Sequence, residues 1–333
     1  VLRVVGTDPG TSSLDLLLLE DGRVVDQCRF RPEELRERPG VLATLLDGWT
    51  PITLVAGPSG YGLPLVPASS LTADQIDQMS LVRPDQRGEP AGLLGFRSWV
   101  RAVVQTGLPV VFLPGGFHLP TIPPHRKANS VDLGTADKVA VAALALWFDA
   151  RAHGGFDRST FALVEIGSAF TAMMVVQHGR LVDASAGTNG PIGLRSRGVW
   201  DGEVAYWRCP LSKQDLFRGG LEDLGPLGPD AFRESLARHL AGLRAVTPFE
   251  RIYLSGAGLN RPDVARLTGE ALSPFGQLAS LPSLPGAWVK HAAQGSALLA
   301  DALAGGEFAA VAGSLELRSA WGSIWDVVNR SVT

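Results

Sequence analysis

An acid, a glycine and three hydroxyl side chains stand together near the start of the chain, as Asp8-Pro-Gly10-Thr11-Ser12-Ser13. A bend built from such small residues lets backbone N–H groups converge on an oxyanion, and the hydroxyls of Thr11, Ser12 and Ser13 add donors. Asp8 repels phosphate itself but can hold Mg²⁺, through water, against phosphate oxygens. The same kit returns in the second half as Glu165-Ile-Gly167-Ser168. One such bend alone is better read as the shoulder of an ordinary hairpin. Two of them, each with an acid, point to a polyphosphate gripped from both sides, with Asp8 and Glu165 as metal-site residues.

The elements that must position these bends also repeat. Residues 8–26 align with residues 165–183 without a gap, pairing Gly10 with Gly167, Gly22 with Gly179, Arg23 with Arg180 and Asp26 with Asp183. In each copy an apolar strand ends at the acid and a small-residue bend leads into a second apolar strand. Asp21-Gly22 or His178-Gly179 then makes a tight turn into a third. Downstream, a helix over 33–47, a strand over 52–57, a helix over 92–105 and a strand over 109–113 are matched by helices over 229–244 and 261–273 and strands over 251–255 and 277–281. Both halves read β-β-β-α-β-α-β, three antiparallel strands followed by parallel crossovers. The spacing of Val139, Ala142, Ala143, Leu146 and Trp147 predicts an amphipathic helix over 135–152 that joins the halves. Residues 58–90 and 188–228, rich in Gly and Pro, read as insertions or long functional loops.

Further residues could complete a site. Ser255-Gly256-Ala-Gly258 breaks a strand before a helix, which lets the backbone pass close to a flat group such as adenine or ribose. Residues 292–301 open a helix with small side chains, suited to close packing. Ser59 and Tyr61 follow a parallel strand, whose C-terminal end faces the ligand crevice in such sheets, so they are candidates for substrate contact. Asp132, just outside the joining helix, is a candidate base. Asp137 and Lys138 sit inside that helix, where an acid favours the N-terminus. Arg195 and Arg197 carry forks suited to a phosphoryl or carboxylate group.

Composition narrows the field. The chain has 333 residues, long enough for two domains, and its net charge of -3 offers no basic field for nucleic acid. Lysine occurs only four times and arginine supplies the other cations. Cys28 and Cys209 match no metal spacing and are expected as reduced thiols. The first residues read as a strand and not as a signal peptide, and no apolar run approaches the roughly 20 residues of a membrane helix. A cytoplasmic protein without membrane or nucleic-acid partners is expected.

The series of phosphate loop, connecting helix, second phosphate loop, adenosine loop and final small-residue helix resembles the acetate and sugar kinase, heat-shock ATPase and actin superfamily. Asp8-Pro-Gly-Thr-Ser-Ser-Leu-Asp15 is similar to the opening Asn-Pro-Gly-Ser-Thr-Ser-Thr-Lys of butyrate kinases, and 126–140 looks like their connecting segment. The whole chain is similar to a family labelled predicted butyrate kinase. The resemblance implies two duplicated ribonuclease H-like (actin-like ATPase) domains of α/β class, over 1–128 and 129–333, with a nucleotide cleft between them and a last helix that can return to the first domain. It implies ATP and Mg²⁺ as cofactors and a small molecule, carboxylate or alcohol, as phosphoryl acceptor, and it leaves a homodimer open. Gly10, Thr11, Ser12, Ser13, Glu165, Gly167, Ser168, Ser255, Gly256 and Gly258 would then bind nucleotide. Arg195 would lie on the transferred phosphoryl group, as the arginine of a similar Gly-Thr-Arg-Ser-Gly stretch does in acetate kinases.

The chain departs from those kinases in three places. It has Glu165-Ile-Gly-Ser168 where butyrate and acetate kinases have His-x-Gly-Gly. Asp8 replaces their opening Asn and is closer to sugar kinases. Phe117-His118 survives, but the position matching the acetate kinase aspartate falls near Pro114. The histidines form no His-x-x-x-His pair, which argues against the metal-dependent branch that modifies transfer RNA. A nucleotide-driven switch acting on a protein partner, and a copy that keeps the fold without catalysis, stand as alternatives to a kinase.

Overall fold

The computed structural model describes residues 1–38, 40–86 and 94–329. Its strands are β1 (Arg3–Pro9), β2 (Leu14–Glu20), β3 (Arg23–Phe30), β4 (Leu54–Pro58), β5 (Val66–Pro67), β6 (Val110–Leu113), β7 (Phe161–Ile166), β8 (Thr171–Gln177), β9 (Arg180–Ala186), β10 (Arg251–Ser255) and β11 (Gln277–Ser280). They form two mixed sheets, ordered β3-β2-β1-β4-β6-β5 and β11-β10-β7-β8-β9. In the first, β1 pairs antiparallel with β2 and parallel with β4; in the second, β7 does the same with β8 and β10. Apart from the short edge strand β5, the two sheets have one topology.

Small irregularities repeat as well. A bulge interrupts the ladder between Leu18 and Leu19, and another between Val175 and Val176, positions that the sequence alignment equates. The turn residues Asp21 and Gly22 have φ of 45° and 76°, and His178 and Gly179 have 49° and 75°. This left-handed pair makes the turn whose twist suits a two-residue hairpin.

The central strands β1, β2, β7 and β8 are buried on both faces, which explains the apolar runs in β2 and β8. In β1 and β2, Val4, Leu17 and Leu19 face a central core while Val5, Leu16 and Leu18 face an outer one. In β7, Phe161 and Leu163 face the central core and Ala162 and Val164 a third cluster. The central core is shared between the halves and is threaded by two helices, Ala136–His153 and His291–Leu303. The second of these packs against β1 of the first sheet, where Gly6 leaves no room for a Cβ beside Ala293 and Ala297. Gly295 likewise meets the Ala140 carbonyl of the other helix. Glycine at both points allows backbone to touch backbone.

Two expectations need correction. The helix over 135–152 is present as Ala136–His153 but is not amphipathic: Ala136, Val139–Leu146 and Ala150 are all buried. Lying between two sheets and another helix, it has little face left for water, and its alanines permit that close approach. The segment 33–47 forms two short helices, Pro32–Glu37 and Val41–Gly48. The helix-ending pair Pro39-Gly40 falls between them in sequence. The helix expected over 92–105 covers Leu94–Gln105, and 92–93 and 87–90 lie outside the described residues. Cys28 and Cys209 are both free, and no helix among the described residues is long and apolar enough to cross a membrane.

Candidate active site

The strand ends β1 and β7 open onto one cavity of about 930 Å³ between the halves. Asp8, Gly10, Thr11, Ser12 and Ser13 line it from one side, and Glu165, Gly167 and Ser168 from the other. Each bend is closed by the same hydrogen bond: Gly10 N–H donates to the Ser13 carbonyl (3.0 Å) and Gly167 N–H to the Phe170 carbonyl (2.9 Å). The equivalent hydroxyls of Thr11 and Ser168 meet tip to tip, with Oγ1 and Oγ 2.9 Å apart. The sequence repeat therefore corresponds to two facing loops.

Both acids are buried, and each meets a lysine. Burial pushes the Asp8 carboxyl up to about 6 in spite of Lys290, whose Nζ lies 3.6 Å from Oδ2. Lys290 also donates to the Ser13 carbonyl (3.3 Å). Burial likewise raises Glu165, against the pull of Lys138, which donates to its Oε1 at 2.7 Å. The second oxygen, Oε2, is buried without a partner. Lys138 also pairs with Asp137 at 2.8 Å. Burial works against the charge of Lys138, but Asp137 and Glu165 together raise it above the usual lysine range. Asp15 fixes the first loop: it accepts from Ser13 Oγ (2.5 Å), from Arg29 (2.6 and 2.9 Å) and from the Lys290 N–H (3.1 Å). Burial opposes its charge, yet Arg29 and Ser13 hold its carboxyl below the usual range.

Among the described residues no three His, Cys, Asp or Glu side chains cluster as a protein-built metal cage would require. Mg²⁺ needs no such cage, because it keeps several waters and takes most of its remaining ligands from phosphate. The unpartnered Glu165 Oε2 and the cavity-lining Asp8 carboxylate fit that use.

Tyr61 and Asp132 also line the cavity. Asp132 accepts from Thr188 N–H (2.8 Å) and Thr188 Oγ1 (3.0 Å), while burial pushes its carboxyl up to about 6. Burial and the neighbouring Asp132 raise the Tyr61 phenol, which stays protonated. Ser255, Gly256 and Asn260 also line the cavity, and Ser255 Oγ lies 2.8 Å from His291 Nδ1. Burial lowers His291, so its ring is neutral near pH 7. Arg29, with its guanidinium 5.3 Å over the Trp288 ring, sits at the mouth.

Four sequence candidates do not reach this cavity, among them Arg197, whose guanidinium lies 3.9 Å over the Trp200 ring. Ser59 is enclosed: its hydroxyl donates to the Leu113 carbonyl (2.5 Å) and accepts from Leu63 N–H (3.1 Å), so it stabilises a turn. Gly258 packs against Ile166 behind the wall that Ser255 and Gly256 form. Arg195 is exposed, with its guanidinium 5.8 Å over Phe217, which itself lines the cavity. Conversely, Lys138, Lys213, Lys290 and His291 line the cavity without having been assigned a ligand role from sequence. The signal was the scarcity of lysine, since three of the four in the chain meet at this site.

The sequence model of a family described as "Protein of unknown function (DUF1464)" matches residues 6–330. No curated protein matches the chain in sequence. Among solved structures, a propionate kinase from Francisella tularensis subsp. tularensis SCHU S4 superposes with a TM-score of 0.59 at 12% identity, covering 89% of this chain and 99% of that one. Acetate kinase from Entamoeba histolytica gives 0.53 at 12% identity, covering 81% and 86%. These likenesses show the fold alone: the chain shares the α/β architecture of these two kinases.

Proposed function

We propose that this chain, which belongs to the DUF1464 family, is an ATP- and Mg²⁺-dependent kinase that phosphorylates a small molecule at a carboxylate or hydroxyl group. The observation that carries this reading is the pair of equivalent loops meeting at Thr11 and Ser168 over one cavity, with an acid behind each. Such an arrangement suits a polyphosphate, which each loop meets with N–H and hydroxyl donors. That the two solved neighbours bear the names of carboxylate kinases agrees with it.

In this reading Gly10–Ser13 and Gly167–Ser168 hold the phosphates, and Ser255 and Gly256 form the floor for the adenosine. Asp8 and Glu165 would hold Mg²⁺, which when bound neutralises phosphate charge and orients the γ-phosphoryl group. Lys290, beside Asp8 and Gly10, adds a positive charge on the first loop. Asp132, which lines the same cavity as Tyr61, would take the proton of a hydroxyl acceptor. Catalysis is then mainly positioning and charge stabilisation of an in-line transfer. Calorimetry tests the reading: Mg-ATP should bind to the wild type and at least tenfold more weakly to folded Asp8→Ala. Equal binding to both proteins, or none to the wild type, would refute it.

A further inference from the structure

Lys213 comes from the insertion 188–228 of the second half yet reaches residues of the first. Its N–H donates to Gln86 Oε1 (3.2 Å), its Nζ to the Leu81 carbonyl (3.4 Å), and its ammonium stands 4.5 Å over the Tyr61 ring. The residue is only 9% exposed and lines the cavity. No carboxylate lies within ion-pair distance of it among the described residues, in contrast to Lys138 and Lys290. A long-range carbonyl and an aromatic face are weak compensation for a buried cation, which ordinarily requires an anion. Burial accordingly lowers its ammonium to about 8, and Asp132 is the group that resists this fall.

We propose that Lys213 anchors an anionic group of the phosphoryl acceptor and that the acceptor is a small hydroxy acid. The inference rests on the kinase reading above and deepens it. Asp132 and Lys213 divide the work by charge. A bare carboxylate brought up as nucleophile beside the Asp132 carboxylate would be repelled, whereas a hydroxyl would donate to it. The anion of the same molecule neutralises Lys213, whose ammonium stands over Tyr61. In the transfer, the acceptor hydroxyl oxygen forms a bond to the γ-phosphorus, the bond from that phosphorus to the β–γ bridging oxygen breaks, and ADP leaves with its electron pair. The hydroxyl proton passes to Asp132, and a phosphorylated hydroxy acid remains.

The test pairs glycerate and 4-hydroxybutyrate with glycerol and butyrate as acceptors in an ADP-release assay, with Mg-ATP binding measured calorimetrically on the same preparations. The hydroxy acids should be turned over, and the acceptors lacking either group should not. Lys213→Met should raise the KM for the hydroxy acid roughly ten- to hundredfold, leave Mg-ATP affinity unchanged and not lower the melting temperature. A purely structural lysine would instead lower the melting temperature and leave KM alone, which overturns the proposal. So does turnover of butyrate or glycerol as good as that of the hydroxy acids, or Mg-ATP binding with no turnover of either hydroxy acid. Failure of the wild type to bind Mg-ATP at all removes the kinase reading first, and this inference with it.

Discussion

The two phosphate-type loops share a backbone but not an electrostatic state. Glu165 has its lysine at 2.7 Å, and that lysine is clamped a second time by Asp137. Asp8 has its lysine at 3.6 Å, and Lys290 divides itself among Asp8, Asp15 and the Ser13 carbonyl. Both lysines stand at the start of a central helix, Lys138 in the first turn of Ala136–His153 and Lys290 at the N-cap of His291–Leu303. Each helix follows one half in sequence and delivers its lysine to the loop of the other. Duplication thus supplied the geometry twice, while the cations were set separately. The fold neutralises Glu165 tightly and leaves Asp8 more available to a ligand.

The largest expected effect is on catalysis at the looser loop. Asp8→Asn should reduce turnover on the order of a hundred- to a thousandfold, comparable to losing a principal electrostatic stabiliser. Glu165→Gln should cost about tenfold, because Lys138 already offsets that acid. Steady-state rates on matched preparations decide the point, and a greater loss from Glu165→Gln would invert the comparison.

Stability should show the opposite ranking. Lys138→Met strands the buried Glu165 and the half-buried Asp137, and removing one partner of a buried ion pair costs about 3 kcal/mol. Lys290→Met leaves Asp15 with Arg29 and should cost about 1 kcal/mol or less. Urea denaturation of both variants near pH 7 measures the difference. Equal losses would mean that the two loops are held alike.

A third test uses pH. Asp132 has a folded pKa raised to about 6, so the native state holds its proton more firmly than the unfolded chain does. Its burial therefore costs nothing below about pH 4, and the cost grows as pH rises through 6. Asp132→Asn, which keeps an acceptor for Thr188, should be more stable than wild type by about 2 kcal/mol at pH 7.5, and the gap should close toward pH 4. Denaturation midpoints at the two pH values check the sign. The same residue used as base predicts that kcat/KM falls below about pH 6.

Much of the architecture was legible in sequence because it is local and repeated. Apolar strands, the Asp-Gly and His-Gly turns and the paired acids are short-range patterns, and the alignment even places the two bulges at matching positions. What escaped was long-range. Lys213 lies in a stretch without periodicity, and only the folded chain sets it over Tyr61. The burial of Ala136–His153 on nearly every face depends on a helix that arrives at residue 291. Ser59 carried the right side chain at the right strand end, but a neighbouring strand carbonyl captured its hydroxyl. Composition held one unused clue: a chain poor in lysine places three of its four at the cavity.

Arg195 gives the smallest expected effect and the finest test of the difference between the halves. Its backbone is fixed beside the second loop, with Arg195 N–H donating to the Ala169 carbonyl (3.1 Å) and its own carbonyl accepting from Gly220 N–H (2.7 Å). The guanidinium rests on Phe217, which packs edge-on against Phe170 of that loop. An exposed cation–π contact is worth about 0.5–1 kcal/mol. Arg195→Ala should therefore change turnover by less than about tenfold, since a loss of 1.36 kcal/mol corresponds to one factor of ten. Arg195→Lys should behave much like the alanine variant, because a lysine keeps the charge but not the flat stacking surface. A hundredfold loss in turnover with unchanged Mg-ATP affinity would mean that this arginine swings onto the phosphoryl group when substrates bind. The second loop would then contribute to transition-state stabilisation as strongly as the first, and the contrast between the two would lie only in the resting state.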